Sequence, residues 1–358
     1  MRRSPSTLLP HRLGQSAGLL LAMLAGSAHA EPPDWSKCTL IDDDAQRLAC
    51  FDRVASQGVD DNHEAASIAT TTGGEATQER APITDTLATD EPVALEQRLR
   101  SEASGERNPF VMRSYKPNYI LPATYTPTDL SRSVYDFEPQ HAETKFQLSF
   151  QFDWFDAPLG ENTALYFGYT QVSLWQTYNT AVLGADEDVS SPFRETNYEP
   201  EVGLSVDTDF RLAGLTFRRA RLSLIHTSNG QGGDRSRSWN RLAAGVAFGR
   251  GNLAGAVRAW YRIPDNDSLD DNPDITDYMG HGDLLLAYKW NEQTISATWR
   301  NNLDFNNNRG AIQIDYSFPL TKRVKGYVQY FNGYGESLID YNRSVSRIGM
   351  GIALTDWL

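Results

Sequence analysis

From residue 146 onward the chain repeats one pattern, in which apolar and polar positions alternate in short runs. Phe146, Leu148, Phe150, Phe152 and Trp154 are separated by Gln147, Ser149, Gln151 and Asp153. Successive side chains of a strand point to opposite faces, so a period of two with one apolar side predicts a half-buried β-strand. The same reading predicts strands over 163–176, 196–206, 209–228, 238–248, 253–262, 277–290, 293–299, 309–318, 324–332 and 344–354, and Asn118–Thr124 completes a set of twelve. Counted back from the last strand, the connections alternate in length. Long ones fall at 333–343, 300–308, 263–276, 229–237 and 177–195, and short ones near 319–323, 291–292, 249–252, 207–208 and 156–162. A soluble sandwich has no reason to sort its loops by parity. A twelve-stranded antiparallel transmembrane β-barrel does, with long loops outside and tight turns on the periplasmic side. On that reading strand 209–228 runs outward and strand 238–248 returns.

Composition fits this picture once the period is known. Mean hydropathy is -0.49, and beyond the leader no run approaches the roughly 18 apolar residues of a spanning helix. A barrel hides its apolar band in every second residue, so the average misses it.

Upstream the alternation is lost. Arg2, Arg3 and Arg12 accompany an apolar run, Ala17–Ala25, and Ala28-His29-Ala30 supplies a small-residue cleavage site, so residues 1–30 read as a secretory signal peptide. Residues 31–57 carry both cysteines, Cys38 and Cys50. In an exported chain such a pair predicts a disulfide stapling a small periplasmic module, and two thiols are too few ligands for a structural zinc. Residues 58–107, rich in Thr, Ala, Glu, Ser and Gly, read as a disordered linker, which leaves 108–358 for the barrel. The net charge of -13 argues against a nucleic-acid partner.

The candidate chemistry lies at one strand end. His226 and Ser228 share a face with Ala220, Leu222 and Leu224, while Arg219, Arg221 and Ser223 occupy the other. On the returning strand Asn240 shares a face with Leu242, Ala244, Val246 and Phe248. All three groups therefore fall on the apolar, lipid-facing side, level with the outer leaflet. A base, an alcohol and a carboxamide are the parts of a nucleophilic hydrolase, with Ser228 attacking, His226 carrying the proton and Asn240 orienting the imidazole. The Gly230 amide is placed to hold an oxyanion. Loop 229–237 offers carbonyls, Asp234 and the Ser236 hydroxyl, hard oxygen donors suited to calcium and few enough to need water or a second chain. A site that faces acyl chains suits a phospholipid or glyceride entering from the membrane plane. Gln171 shares the apolar face of its strand with Leu165, Phe167 and Tyr169, and a lipid-exposed amide calls for a partner.

Each feature also has a plainer reading. A His-x-Ser pair is common, and Asn240 could simply cap a hairpin. A porin with an incidental histidine, or a display protein acting through 31–107, would have the same barrel. The coincidence of three roles on one membrane-facing edge favours the hydrolase.

Four stretches add to this: HTSNGQGGDRSRSWNRL (226–242), SSPFRETNYEP (190–200), DDNPDITDYMG (270–280) and GYGESLIDYN (333–342). In them the chain resembles the outer membrane phospholipase A family, over about 145–358. The resemblance implies a barrel of the bacterial outer membrane that hydrolyses sn-1 and sn-2 acyl esters of phospholipids and lysophospholipids. It also implies calcium dependence and activation by homodimerisation. The family's histidine, serine and asparagine fall on His226, Ser228 and Asn240. Its calcium ligands fall on the carbonyl of Gln231, the hydroxyl of Ser236 and, from the facing subunit, Ser190; its dimer-interface glutamine falls on Gln171. Residues 31–107 lie outside the match, the chain ends in Asp356-Trp357-Leu358 where barrel proteins usually end in phenylalanine, and two departures fall near the site. The family often has arginine where this chain has Gln231, a change that a carbonyl ligand tolerates, and its nearby aspartate appears one place later, at Asp234 behind Gly233.

Overall fold

The computed structural model describes residue 50 and residues 93–103, 111–130, 135, 137–179, 191–266 and 270–358. The expected leader, Cys38 and Ser190 lie outside the described residues, as do most of the module and linker. Cys50 is disulfide-bonded. Met1–Arg80 and Ala81–Leu358 are separate units, and the barrel belongs to the second.

In chain order the described elements are α1 (Val93–Ala103), β1 (Arg113–Ser114), β2 (Asn118–Tyr125), β3 (Ala142–Asp156), β4 (Thr163–Trp175), β5 (Phe193–Leu212), β6 (Leu215–Ser228), β7 (Ser238–Arg250), β8 (Leu253–Ile263), α2 (Ile275–Met279), β9 (Gly282–Trp290), β10 (Gln293–Asn301), β11 (Gly310–Pro319), β12 (Lys325–Tyr334) and β13 (Ser344–Thr355). Strands β2 to β13 each pair antiparallel with their sequence neighbours, and β13 pairs with β2 to close the ring. Among the described residues this is a closed barrel of twelve long strands, with β1 adding two residues beside β3. No helix among them is long and apolar enough to cross a membrane. The crossing is made by the strands, whose outward positions carry exposed Leu148, Val202, Leu222, Leu224, Leu242, Ile295, Ile348 and Met350.

Three expectations need correction. The short turn expected at 207–208 lies at Ala213–Gly214, where φ is 52° and 78°. Two consecutive left-handed residues make the tight hairpin whose twist matches that of the strands. Strand β5 runs through Asp207 and Asp209 because Arg219 and Arg218 of β6 pair with them, at 2.7 and 2.6 Å. The strand expected over 277–290 begins only at Gly282, after the helical turn α2. Residues 93–103, assigned to the linker, form α1 at the short-turn end of the barrel. There Ala94 and Leu95 are buried, Ala94 N–H donates to Gly251 O (3.1 Å), and Arg98 donates to the carbonyls of Ser114 (2.9 Å) and Asp356 (3.2 Å).

The lumen is packed with side chains. Arg194 reaches Glu143 (2.9 Å) and Asp340 (2.6 Å), Arg347 reaches Glu143 (2.7 Å) and Glu336 (2.6 Å), and Lys145 joins Glu336 (3.2 Å). Arg241 pairs with Glu199 (2.7 Å), and Arg219 with Glu102 of α1 (2.8 Å). Arg221 donates to Gln151 (3.0 Å) and lies over the Tyr115 and Tyr166 rings. Beside these pairs Ile225, Trp239, Trp260, Ile275, Met279, Leu338 and Tyr341 form an apolar cluster inside the barrel. Its members come from β6, β7, β8, α2 and the loop after β12, so two outer loops fold inward onto the wall.

Candidate active site

Strands β6 and β7 are held in one register over their outer half, with His226 opposite Asn240 and Ser228 opposite Ser238. Exposure alternates along β6: Leu222, Leu224 and His226 are exposed, whereas Ser223, Ile225 and Thr227 are buried. On β7 Trp239 and Arg241 are buried, and Asn240 lies on the outward side with the exposed Leu242. The three candidate groups thus project away from the lumen, where the outer surface is apolar.

His226 Nδ1 lies 2.8 Å from Asn240 Oδ1. An amide oxygen can only accept, so Nδ1 carries the proton and Nε2 is the basic nitrogen. Ser228 stands two residues farther along the same face. Among the described residues no hydrogen bond joins its hydroxyl to the imidazole, and such contacts often close only when substrate binds. On its other side β5 brings Tyr198 opposite Ser228.

The loop after β6 turns on two features. Gly230 has φ 65°, and a Cβ there would lie 3.2 Å from the Tyr198 ring, so a glycine meets both the left-handed backbone and the close approach. Asn229 is buried and ties the loop together, its Nδ2 donating to Arg235 O (2.8 Å) and its Oδ1 accepting from the N–H of Gln231 (3.3 Å) and of Arg237 (3.0 Å). A short 3₁₀ turn, Gly233–Arg235, presents Ser236 at its end. Asp234 is exposed, and its carbonyl accepts from the Arg237 side chain (3.0 Å).

Two carboxylates at this end were not singled out by sequence reasoning. Ser236 Oγ donates to Asp271. Asn240 Nδ2 donates to Asp265 Oδ1 at 3.4 Å. Both belong to the loop between β8 and β9, which also receives Ser238 N–H on Asn272 Oδ1 (3.0 Å) and pairs Arg262 with Asp270 (2.6 Å). Asp271 sits in the quoted stretch 270–280 and could have been found there, whereas Asp265 has no local signal. No group of three or more His, Cys, Asp or Glu side chains able to hold a metal occurs among the described residues. The donors around Ser236 are its hydroxyl, nearby carbonyls and one carboxylate, and such hard oxygens fit calcium. Gln171, at the matching depth on β4, accepts from Tyr169 Oη (3.1 Å) and donates to Ser173 Oγ (3.2 Å).

Comparison with known proteins gives a consistent result. The family model for phospholipase A1 matches residues 95–354. The phospholipase A1 of Klebsiella pneumoniae is 40% identical over 277 residues, covering 76% of this chain and 92% of that protein. The solved outer membrane phospholipase A of Escherichia coli matches with a TM-score of 0.64 at 40% identity, over 70% of this chain and 100% of that one. A further structure of the E. coli protein carries an asparagine-to-alanine change at its active site. The Salmonella typhi outer membrane phospholipase, a dimer with bound calcium, matches with a TM-score of 0.65 at 40% identity, over 72% of this chain and 97% of that one.

Proposed function

Because the chain belongs to the phospholipase A1 family and is a phospholipase of the outer membrane, we propose that His226, Ser228 and Asn240 are its catalytic group and act on lipids of the outer leaflet. Ser228 Oγ attacks an acyl ester carbonyl while its proton passes to His226 Nε2. The Gly230 N–H donates a hydrogen bond to the developing oxyanion. Collapse breaks the ester C–O bond, and the imidazolium returns the proton to the departing lysophospholipid alcohol. Water then repeats the sequence on the acyl-serine and releases the fatty acid. Asn240 keeps Nδ1 protonated and fixes the ring, a role that a carboxamide fills in other hydrolases. Both sn-1 and sn-2 esters, and those of lysophospholipids, are within the scope of a site open along the membrane plane.

The carbonyl of Gln231, the hydroxyl of Ser236 and the partner subunit's Ser190 would hold calcium, with the Asp271 carboxylate beside Ser236 as a further oxygen donor. When bound, calcium supplies positive charge near the developing oxyanion. Its place here is supported by the Salmonella typhi protein, a dimer with bound calcium. A homodimer would set Gln171 against its copy. The amide has two local partners and spare donor and acceptor capacity for a third, so dimerisation would relieve the cost of holding it in lipid.

The observation that carries this reading is the 2.8 Å contact between His226 Nδ1 and Asn240 Oδ1 on the outward face. The test is hydrolysis of a fluorescent phospholipid, with and without calcium, by the wild-type chain and by Ser228→Ala. The variant should show background cleavage while its unboiled gel mobility stays that of a folded barrel. Cleavage at the wild-type rate by that folded variant refutes the proposal.

A further inference from the structure

Asn240 is a weak orienting group by itself, since a neutral amide stabilises an imidazolium less than a carboxylate does. A carboxylate nevertheless stands behind it. Asn240 is paired with Ile263, the last residue of β8, and Asp265 follows just beyond the strand end, within reach of the amide. Its Oδ1 accepts from Asn240 Nδ2 at 3.4 Å. Arg262, the cation nearest in sequence, is engaged with Asp270 at 2.6 Å, and among the described residues no cation pairs with Asp265. The carboxylate is thus directed to the amide.

This arrangement also settles which way the amide points. A carboxylate oxygen only accepts, so the Asn240 NH₂ must face Asp265 and the oxygen must face His226. The reversed amide would set oxygen against carboxylate, and its NH₂ could meet Nδ1 only if the ring proton moved to Nε2, the nitrogen that must take up the serine proton. We infer that Asp265 is a positioning residue of the hydrolytic site, holding Asn240 in its productive orientation and relaying negative charge through the amide to the imidazolium. The inference rests on the Ser-His-Asn reading above and extends it to a four-membered row, Asp265–Asn240–His226–Ser228. Chained hydrogen bonds polarise one another, most strongly where an end is charged and the surroundings are apolar.

The test is kinetic and uses the full-length chain in detergent with a fluorescent phospholipid and saturating calcium. Asp265→Asn keeps an acceptor but removes the charge, and kcat should fall about threefold; Asp265→Ala removes both, and kcat should fall about tenfold. KM and the calcium concentration for half activity should stay within about twofold in both, because neither lipid nor metal is touched. The decisive arm repeats Asp265→Asn in an Asn240→Asp background. There two carboxylates face each other, and an asparagine at 265 can donate to the new acid, so the substitution should raise kcat instead of lowering it. Equal effects in both backgrounds, a kcat unchanged by Asp265→Ala, or a loss confined to KM would overturn the assignment. Ser228→Ala run alongside separates the two levels. If it abolishes hydrolysis while Asp265→Ala does nothing, only Asp265 is wrongly assigned; if it leaves hydrolysis intact, the underlying Ser-His-Asn reading is lost.

Discussion

Replacing Asn240 with alanine isolates the orienting contact from the rest of the site. The side chain lies on the outward face, so its removal opens no void in the lumen core, and the His226–Asn240 backbone pairing of β6 and β7 is untouched. What is lost is the 2.8 Å bond to Nδ1 and the 3.4 Å bond to Asp265. In the resting enzyme the first is a neutral bond worth about 0.5–1.5 kcal/mol, and in the transition state it becomes a bond to imidazolium worth about 1.5–3 kcal/mol. Only the difference, roughly 1–2 kcal/mol, enters the barrier, because uniform binding does not change kcat. The exposed ring also regains rotamers once its partner is gone, at a further cost of about 0.5–1 kcal/mol. Together these predict a kcat about 10- to 100-fold lower, with KM little changed. The assay is steady-state hydrolysis of a fluorescent phospholipid in mixed micelles, beside the heat-modifiable gel shift as a control for folding. A kcat within twofold of wild type would show that Asn240 does not orient the base. A loss beyond a thousandfold in a folded barrel would show that the charge-difference argument leaves out the main effect.

Ser236→Ala should raise the calcium concentration for half activity about tenfold without changing the unfolding midpoint; an unaltered calcium titration removes Ser236 from the ligand set. Trp239→Ala deletes a fully buried ring that meets Trp260 edge-on at 6.3 Å and lies 4.2 Å beneath the Arg241 guanidinium. It should cost about 3–5 kcal/mol in urea unfolding and lower kcat although no catalytic group is altered; an unchanged midpoint contradicts the packing argument. Arg194→Met removes the close cation from buried Asp340, leaving it the Arg343 contact at 3.8 Å and the Tyr135 and Ser337 hydroxyls, and weakens the hold on buried Glu143, for about 3 kcal/mol. Adding Asp340→Asn restores the charge balance and should recover part of that loss, and no recovery in the double variant would mean that balance is not what the network supplies.

Much of this was legible in the chain because a barrel writes two rules into it. Period-two alternation marks the strands, and loop length sorted by parity gives their direction, so the outward placement of His226, Ser228 and Asn240 follows from counting. What was missed depends on partners that alternation does not encode. The run Val206-Asp207-Thr208-Asp209 reads as a turn, yet it is strand because Arg218 and Arg219 answer its carboxylates from β6. Helix α1 has too few apolar residues to suggest folding by itself, but Ala94 and Leu95 suffice once the barrel mouth supplies the other surface. Asp265 reaches Asn240 only through the register of β8 on β7, a fact of pairing and not of spacing.

The position of the site gives the filled lumen a purpose beyond stability. Catalytic groups in a cleft are braced by side chains on several sides, whereas the proposed group of His226, Ser228 and Asn240 lies on the outward face, with His226 exposed and the other two half-buried among the described residues. Their relative placement must therefore come from the strands beneath. The neighbours that point the other way are Ile225 on β6 and Trp239 on β7, and both are locked in the cluster with Trp260, Ile275, Met279, Leu338 and Tyr341. That cluster exists because the loops after β8 and β12 fold into the barrel, where a pore would need them clear. The same loop after β8 also brings Asp271 to Ser236 and, on the outward side, Asp265 to Asn240. A functional constellation loosened by about an ångström loses most of its value, so an outward-facing site on so narrow a wall requires a core where a porin has water. The packed cluster beneath the site is thus a condition of the proposed surface chemistry, and loosening it at Trp239 should reach the reaction from a residue that never meets substrate.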